Sequence, residues 1–436
     1  MALNTMSPKK RIPAPIKKTN LNAGTQAYEH AVLPNGFRIV HRRTDEELAH
    51  LALMIGTGTR HEGNLPEGIA HLTEHMLFKG TKRRKAHQVV NFLENVGCDL
   101  NAYTTREETC IHASFLSPNY GRATELFADV ALSSTFPEQE LEKEKTVVLD
   151  EISSYKDSPA EEIFDTFENE FFGPHPLGRY ILGRPETLPN ITRNGMLDYV
   201  GSNFTPDKMI LVSIGNIAFS KLYSQAARYF GEAEQQNKHK EEIPFGAYKT
   251  FERKDSAESY LSHCIIGMPG YDYNHPDKLA LILLNNILGG PALHARLNQN
   301  IREKFGIAYS IDSQLAHYSD AGWLAIYMGT DPGQTDKAIG LAMKEMRKLR
   351  EQALGSLQLS RAKQQLIVQL AISRESRLHE ALSVGKAWLI KNHASSVAEI
   401  IGRVEQISTS KLLEVANEVF DERKMSTLIY QGDNKQ

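Results

Sequence analysis

Residues 68–78 read GIAHLTEHMLF, which puts His71 and His75 four residues apart with Glu74 immediately before the second. On a helix, positions i and i+4 share a face, and Glu74 falls in the same row. Two imidazoles one turn apart can hold one divalent metal, and a carboxylate in that row can reach a water on it. The order His-x-x-Glu-His is the reverse of the commoner zinc motif. A catalytic zinc takes three protein ligands and keeps a fourth position open, so one ligand must come from elsewhere. The segment 141–157, LEKEKTVVLDEISSYKD, offers several acids. Glu144 and Glu151 are seven apart and share a helix face at about 3.6 residues per turn. Apolar Val148 and Ile152 run beside that face, and Asp150 lies off it.

These side chains need a frame. Residues 30–33 and 37–41 flank Asn35-Gly36, the pattern of a β-hairpin. Residues 51–55 are a short apolar run before Gly56, the pattern of a buried strand, and Leu100 to Thr105 reads as an edge strand. Helical periodicity follows at 67–78, 85–96, 120–133 and 137–156. An internal repeat organises the whole. At an offset of 216, Ile191 meets Ile407, Leu197 meets Leu413, Phe204 meets Phe420 and Lys208-Met209 meets Lys424-Met425. Each copy reads as helix, aromatic stop, Lys-Met pair and strand. The expected architecture is α+β, with two homologous domains, each an antiparallel-rich sheet packed with helices. The expected divisions are a disordered basic tail over 1–24, a metal-binding domain over 25–235, a polar linker over 236–246 and a metal-free domain over 247–436. Aligning the halves through Phe78-Lys79-Gly80 and Leu288-Gly289-Gly290 puts Leu281 and Asn285 where His71 and His75 stand.

Composition narrows the class. The 436 residues carry 50 Lys+Arg against 53 Asp+Glu, which argues against a nucleic-acid binder, normally basic. The longest apolar runs fall short of the ~18 residues of a membrane span. The N-terminus lacks the apolar stretch of a secretory signal. Three cysteines, Cys98, Cys110 and Cys264, exclude a disulfide framework and fit a reducing, cytoplasmic compartment. The first 24 residues hold five basic residues and no acid, so the remainder has 45 basic against 53 acidic residues. A chamber lined by that excess would attract basic, unfolded peptides.

GIAHLTEHMLFKGT, CDLNAYTTREET and EKEKTVVLDEISSYKDSP together resemble the pitrilysin (inverzincin) family of zinc metallopeptidases, above all its short-chain group of bacterial peptidases and the mitochondrial processing peptidase. The resemblance runs from residue 28 to near the end and includes the duplicated halves. It implies a zinc endopeptidase of unfolded peptides, with one zinc per chain held by His71, His75 and Glu151. It makes Glu74 the general base and Glu144 the outer acid that orients a ligand. Asn101 and Ala102 on the edge strand match positions that pair with substrate main chain. Arg302 and Tyr309 match a pair that binds substrate and steadies the oxyanion. The Gly289-Gly290 turn departs from the longer glycine run common in the family. Because a short chain supplies half of a clamshell, the resemblance also implies a homodimer, with the partner's second domain facing the zinc. Two other readings accompany it: a metal-free peptide-binding or scaffold subunit of the same fold, and a targeting-peptide processing peptidase that needs a distinct partner chain.

Overall fold

The protein is described by a computed structural model covering residues 28–234 and 243–433. The expected tail over 1–24 and residues 236–242 of the expected linker lie outside the described residues. Among the described residues, eleven strands form two sheets. The first half contributes β1 (Glu29–Val32), β2 (Arg38–Arg43), β3 (Leu48–Ile55), β4 (Asp99–Thr104), β5 (Thr109–Leu116) and β6 (Met209–Gly215). The second contributes β7 (Glu252–Ser256), β8 (Ser262–Pro269), β9 (Ala308–His317), β10 (Gly322–Thr330) and β11 (Ser426–Gln431). The helices are α1 (Ile69–Leu77), α2 (Ala86–Glu94), α3 (Tyr120–Ser133), α4 (Glu138–Lys156), α5 (Pro159–Phe172), α6 (Arg193–Asn203) and α7 (Phe219–Phe230). They continue as α8 (Lys278–Gly289), α9 (Thr335–Glu351), α10 (Ser356–Ser373), α11 (Arg377–Lys391), α12 (Val397–Gln406) and α13 (Thr409–Val419).

The first sheet has the order β1-β2-β6-β3-β5-β4 and the second β7-β11-β8-β10-β9. Each is antiparallel except for one pair, β2 with β6 and β7 with β11. The Asn35-Gly36 hairpin forms between β1 and β2, with Val32 opposite Arg38. Helices α6 and α13 begin and end at the offset of 216 read in the repeat, and each leads into the strand that pairs in parallel.

One face of each sheet carries its own half's helices. In the first half Leu51, Leu53 and Ile111 pack with Leu72, Met76, Phe127 and Val148. In the second, Ile266 and Leu324 pack with Leu281, Leu284, Met346 and Phe420. The opposite faces are covered by exchange. Ile163, Phe167 and Phe171 of α5 lie on Ile265, Trp323 and Leu428 of the second sheet. Ala381, Val384 and Trp388 of α11 lie on Val40, Met54, Ile210 and Val212 of the first. Burying one large apolar side chain contributes roughly 1.5–3 kcal/mol, so the exchanged helices bind the halves strongly. Salt bridges anchor both helices, Arg42 of β2 holding Glu380 of α11 across the halves and Arg106 holding Glu168 of α5 within the first half. Among the described residues, no helix is long and apolar enough to cross a membrane.

Candidate metal centre

Helix α1 is short and almost wholly buried, so its rotation is fixed by packing: Leu72 and Met76 face the core, and His71 and His75 look toward α4. Its N-terminal amides are met by a carboxylate from outside the helix. Glu62 accepts hydrogen bonds from the amides of Gly68 (3.0 Å) and Ala70 (3.1 Å), and Arg179 donates to its other oxygen at 3.0 Å. Burial pushes the Glu62 carboxyl up to about 8, against the pull of these donors.

His71 Nε2 and His75 Nε2 each stand 3.9 Å from Glu151 Oε2, and the two rings lie 4.6 Å apart. Among the described residues these three form the one group whose donor atoms, all within 4.8 Å of one another, could hold a metal ion. Zinc bonds of about 2.0–2.1 Å in a tetrahedron separate ligand atoms by ~3.4 Å, so each His–Glu151 distance needs to shorten by about half an ångström. The Glu151 side chain, 35% exposed, has room to do so. The donor types suit zinc. Burial, and next the neighbouring His75, hold His71 down to about 3, so it is an uncharged imidazole with a lone pair to offer. His75 Nδ1 lies 3.2 Å from Glu144 Oε2, and Lys79 Nζ lies 2.5 Å from the other Glu144 oxygen. With Nδ1–H donated to Glu144, the Nε2 lone pair of His75 is turned to Glu151. His71 Nδ1 is buried with no hydrogen-bond partner.

Glu74 sits beside the trio, 9% exposed, and Thr104 Oγ1 donates to its Oε2 at 2.9 Å. Burial, with a smaller contribution from Glu151, pushes the Glu74 carboxyl above its usual range despite Thr104 and His75. Thr104 ends β4, the unpaired edge of its sheet. On that edge Asn101 Oδ1 accepts from the Ala102 amide at 2.8 Å, so a free edge N–H is capped by its neighbour's side chain. Arg302 and Tyr309 lie in the second half, Arg302 in a one-turn π-helix (Asn298–Glu303) and Tyr309 near the start of β9. Both are exposed, and Arg302 contacts Asn298 of its own turn. Among the described residues, no hydrogen bond or ion pair joins either residue to His71, Glu74 or His75.

Sequence reasoning missed Glu62, Arg179 and Thr104. Thr104 shares the face of Leu100 and Ala102 by strand alternation, so the period-2 pattern alone could have singled it out. Glu62 and Arg179 are 117 residues apart and leave no local signal.

A duplicated α+β fold, with an inverted His-x-x-Glu-His helix at the edge of its first sheet, defines a class of zinc-peptidase folds. The family described as Insulinase (Peptidase family M16) matches residues 38–184, and the one described as Peptidase M16 inactive domain matches 190–366. The uncharacterized zinc protease YmxG of Bacillus subtilis is 33% identical over 92% of this chain and 97% of its own length. The beta subunit of the mitochondrial-processing peptidase of Bos taurus is 28% identical over 88% of this chain and 80% of its own. A crystal structure of a peptidase M16 inactive domain from Pseudomonas fluorescens superposes with a TM-score of 0.87 at 19% identity, covering 94% of this chain and 98% of that one. A protease from Helicobacter pylori gives 0.84 at 21%, covering 93% and 99%. The chain belongs to the M16, or pitrilysin, family of zinc peptidases.

Proposed function

We propose that the protein is a zinc-dependent endopeptidase that hydrolyses unfolded peptides, with one zinc per chain held by His71, His75 and Glu151. The observation that carries this reading is the convergence of two neutral-capable imidazoles and a carboxylate beside a buried second carboxylate, Glu74. A zinc ion bound there supplies Lewis acidity toward the scissile carbonyl and an acidified water. Glu74, a carboxyl raised above its usual range, is placed to take a proton from an attacking water and pass it to the leaving amine. Thr104 holds one Glu74 oxygen in place and leaves the other for proton transfer. Glu144 orients His75.

The substrate pairs its main chain with the open edge of β4 at Asn101 and Ala102, which gives affinity with little side-chain selection. Pairing requires Asn101 Oδ1 to leave the Ala102 amide, so the edge is closed to casual strand addition. Arg302 and Tyr309 reach the reacting carbonyl from the second half of another copy in a homodimer. Their exposure, away from the metal trio of their own chain, supports that reading.

The test combines metal analysis, cleavage of a peptide mixture and light scattering on the full chain. Glu74→Gln is expected to lower turnover by about 10²–10⁴ while bound zinc stays at the wild-type level. Turnover near wild type in that variant would remove Glu74 from the mechanism. A fully active species at the 48.9 kDa monomer mass would overturn the shared site.

A further inference from the structure

Where the two halves meet, a cavity of about 470 Å³ lies between the β4–β5 turn, the end of β9 and α11. Its wall includes Tyr273, His317 and Lys386, together with Thr105, Arg106 and Glu168. The acids of this wall are committed. Glu107 accepts from Arg60 and Ser319, and Glu168 is bound by Arg106, Tyr318 and Trp323. Arg106 is committed in turn to Glu168, but the lysines around Tyr273 have no close acid. Lys278, at the start of α8, stands 3.4 Å from the centre of the Tyr273 ring, and Lys391 stands 5.4 Å from the same ring. Among the described residues, no carboxylate lies within ion-pair distance of Lys278, Lys391 or Arg403, and Lys386 reaches Glu108 only at 3.8 Å. Burial, then Lys391, Arg403 and Lys386, pushes the Lys278 ammonium down to about 8, and Asp272 offsets this only in part. Two half-buried lysines, Lys278 and Lys386, thus lie near two exposed cations, Lys391 and Arg403, with Glu108 and Asp272 as the neighbouring acids.

A second group is also without a partner. His317 Nδ1 lies 2.6 Å from the Tyr271 carbonyl, which makes Nδ1 the protonated nitrogen, and Nε2 is buried with no hydrogen-bond partner. Burial is the main influence against a second proton on that ring, Lys278 and Lys386 add to it, and the Tyr271 carbonyl and Asp272 favour one. An arriving anion would neutralise the two lysines and let Nε2 take up a proton and donate it.

We propose that this cavity is an anion site, in which Lys386 and His317 of its wall, with Lys278 set against the Tyr273 ring of that wall, bind a compact oxyanion, a phosphate or a carboxylate. Like-charge crowding in a partly desolvated place costs stability in the free protein, and a bound oxyanion removes that cost. None of His71, His75 and Glu151 lines this cavity.

The test uses calorimetric titration and thermal unfolding of the full chain at constant ionic strength. The probes are inorganic phosphate and an acetylated tripeptide with a free C-terminal carboxylate, with its amide as the neutral control. The expected result is one saturable site per chain for phosphate or the free-acid peptide, with no response to the amide. Lys278→Met is expected to weaken binding at least tenfold. It should also raise the anion-free Tm by a degree or more, with the gap to wild type closing as the wild type is saturated. Phosphate selects a free inorganic ligand, and the free-acid peptide a peptide terminus. A response matched by sodium chloride alone, or unchanged binding in Lys278→Met, would overturn the site. Lys82→Met, in the exposed basic run after α1, serves as a charge-matched control that should leave binding intact.

Discussion

In the first half, α1 turns His71 and His75 toward Glu151 of α4, next to the edge strand β4. In the second, α8, α10 and the edge strand β9 meet around a notch of about 270 Å³ lined by Asn285, Gln369, Asp312 and Ser313. Glu151 is the fourteenth residue of α4 and Gln369 the fourteenth of α10. Asn285 Nδ2 donates to the Ser313 carbonyl, and Ser313 Oγ donates back to that of Asn285, tying α8 to β9 much as Thr104 ties β4 to Glu74. Amides have replaced an imidazole and a carboxylate at matching places. They keep the polar size and hydrogen-bonding capacity but offer no anionic or basic donor to a cation. The frame and the chemistry are therefore separable, with a few side chains deciding which half can bind metal.

Making the first half imitate the second gives the largest expected effect. His75→Asn with Glu151→Gln should abolish stoichiometric zinc binding, measured by chelator competition, while circular dichroism of the metal-free chain stays native-like. Glu144→Gln should weaken zinc by only ~10–100-fold, the usual cost of losing an outer hydrogen-bond partner. If the double variant kept tight zinc, the metal would have to sit elsewhere and the contrast between halves would fail.

The halves are also compared through the helices they exchange, each seated on a glycine contact. At Gly267 of β8 a Cβ would lie 2.1 Å from the Phe167 ring of α5, and at Gly385 of α11 it would lie 2.0 Å from Met54 Sδ of β3. Overpacking a close-packed interior costs typically ~1–3 kcal/mol. Gly267→Val and Gly385→Val should each lower stability by about that amount in denaturant titration. Because each contact joins the two halves, unfolding should remain a single transition in both variants. Two separated transitions in either one would mean that the exchange is not what makes the halves cooperate.

Much of this was legible in the chain. The 216-residue repeat gave two copies of one unit, because α6 and α13 bury the same apolar pattern before strands in matching sheet positions. Periodicity located α3 over the whole of 120–133 and α4 within a residue of its start, since both are long and amphipathic. His71, His75 and Glu151 converge because helical spacing fixed the first two, and a shared face selected Glu144 and Glu151 over Asp150. The exchange of α5 and α11 was not legible. An apolar helix face does not state which sheet it will cover, and only the three-dimensional closure of the duplicated chain assigns Phe167 to Trp323 and Val384 to Val212. The same holds for Glu62 with Arg179, whose pairing depends on distant segments meeting at the α1 N-terminus.

The most gradual effect, and the one that most finely separates the halves, is the pH dependence of the metal-free protein. Where the first half has His71, the second has Leu281, which cannot titrate. His71 is held down to about 3 in the folded state, against ~6.5 in an unfolded chain. Between those values the unfolded state binds more protons, so the stability contributed by the neutral ring is complete above about pH 6.5 and is lost as pH falls toward 3. The slope from one such group is at most about 1.4 kcal/mol per pH unit. Glu74, with its folded value raised, acts oppositely, contributing stability at low pH that is lost as pH rises through its folded value, and the two overlap above about pH 4.5. Setting Glu74→Gln as the background removes that second contribution. Urea titrations of this variant in chelator should then lose stability as pH falls from 6.5, and Glu74→Gln/His71→Leu should lose measurably less over the same range. Parallel curves for the two would mean that His71 is not buried as a neutral imidazole, and the electrostatic contrast between the halves would fall with it.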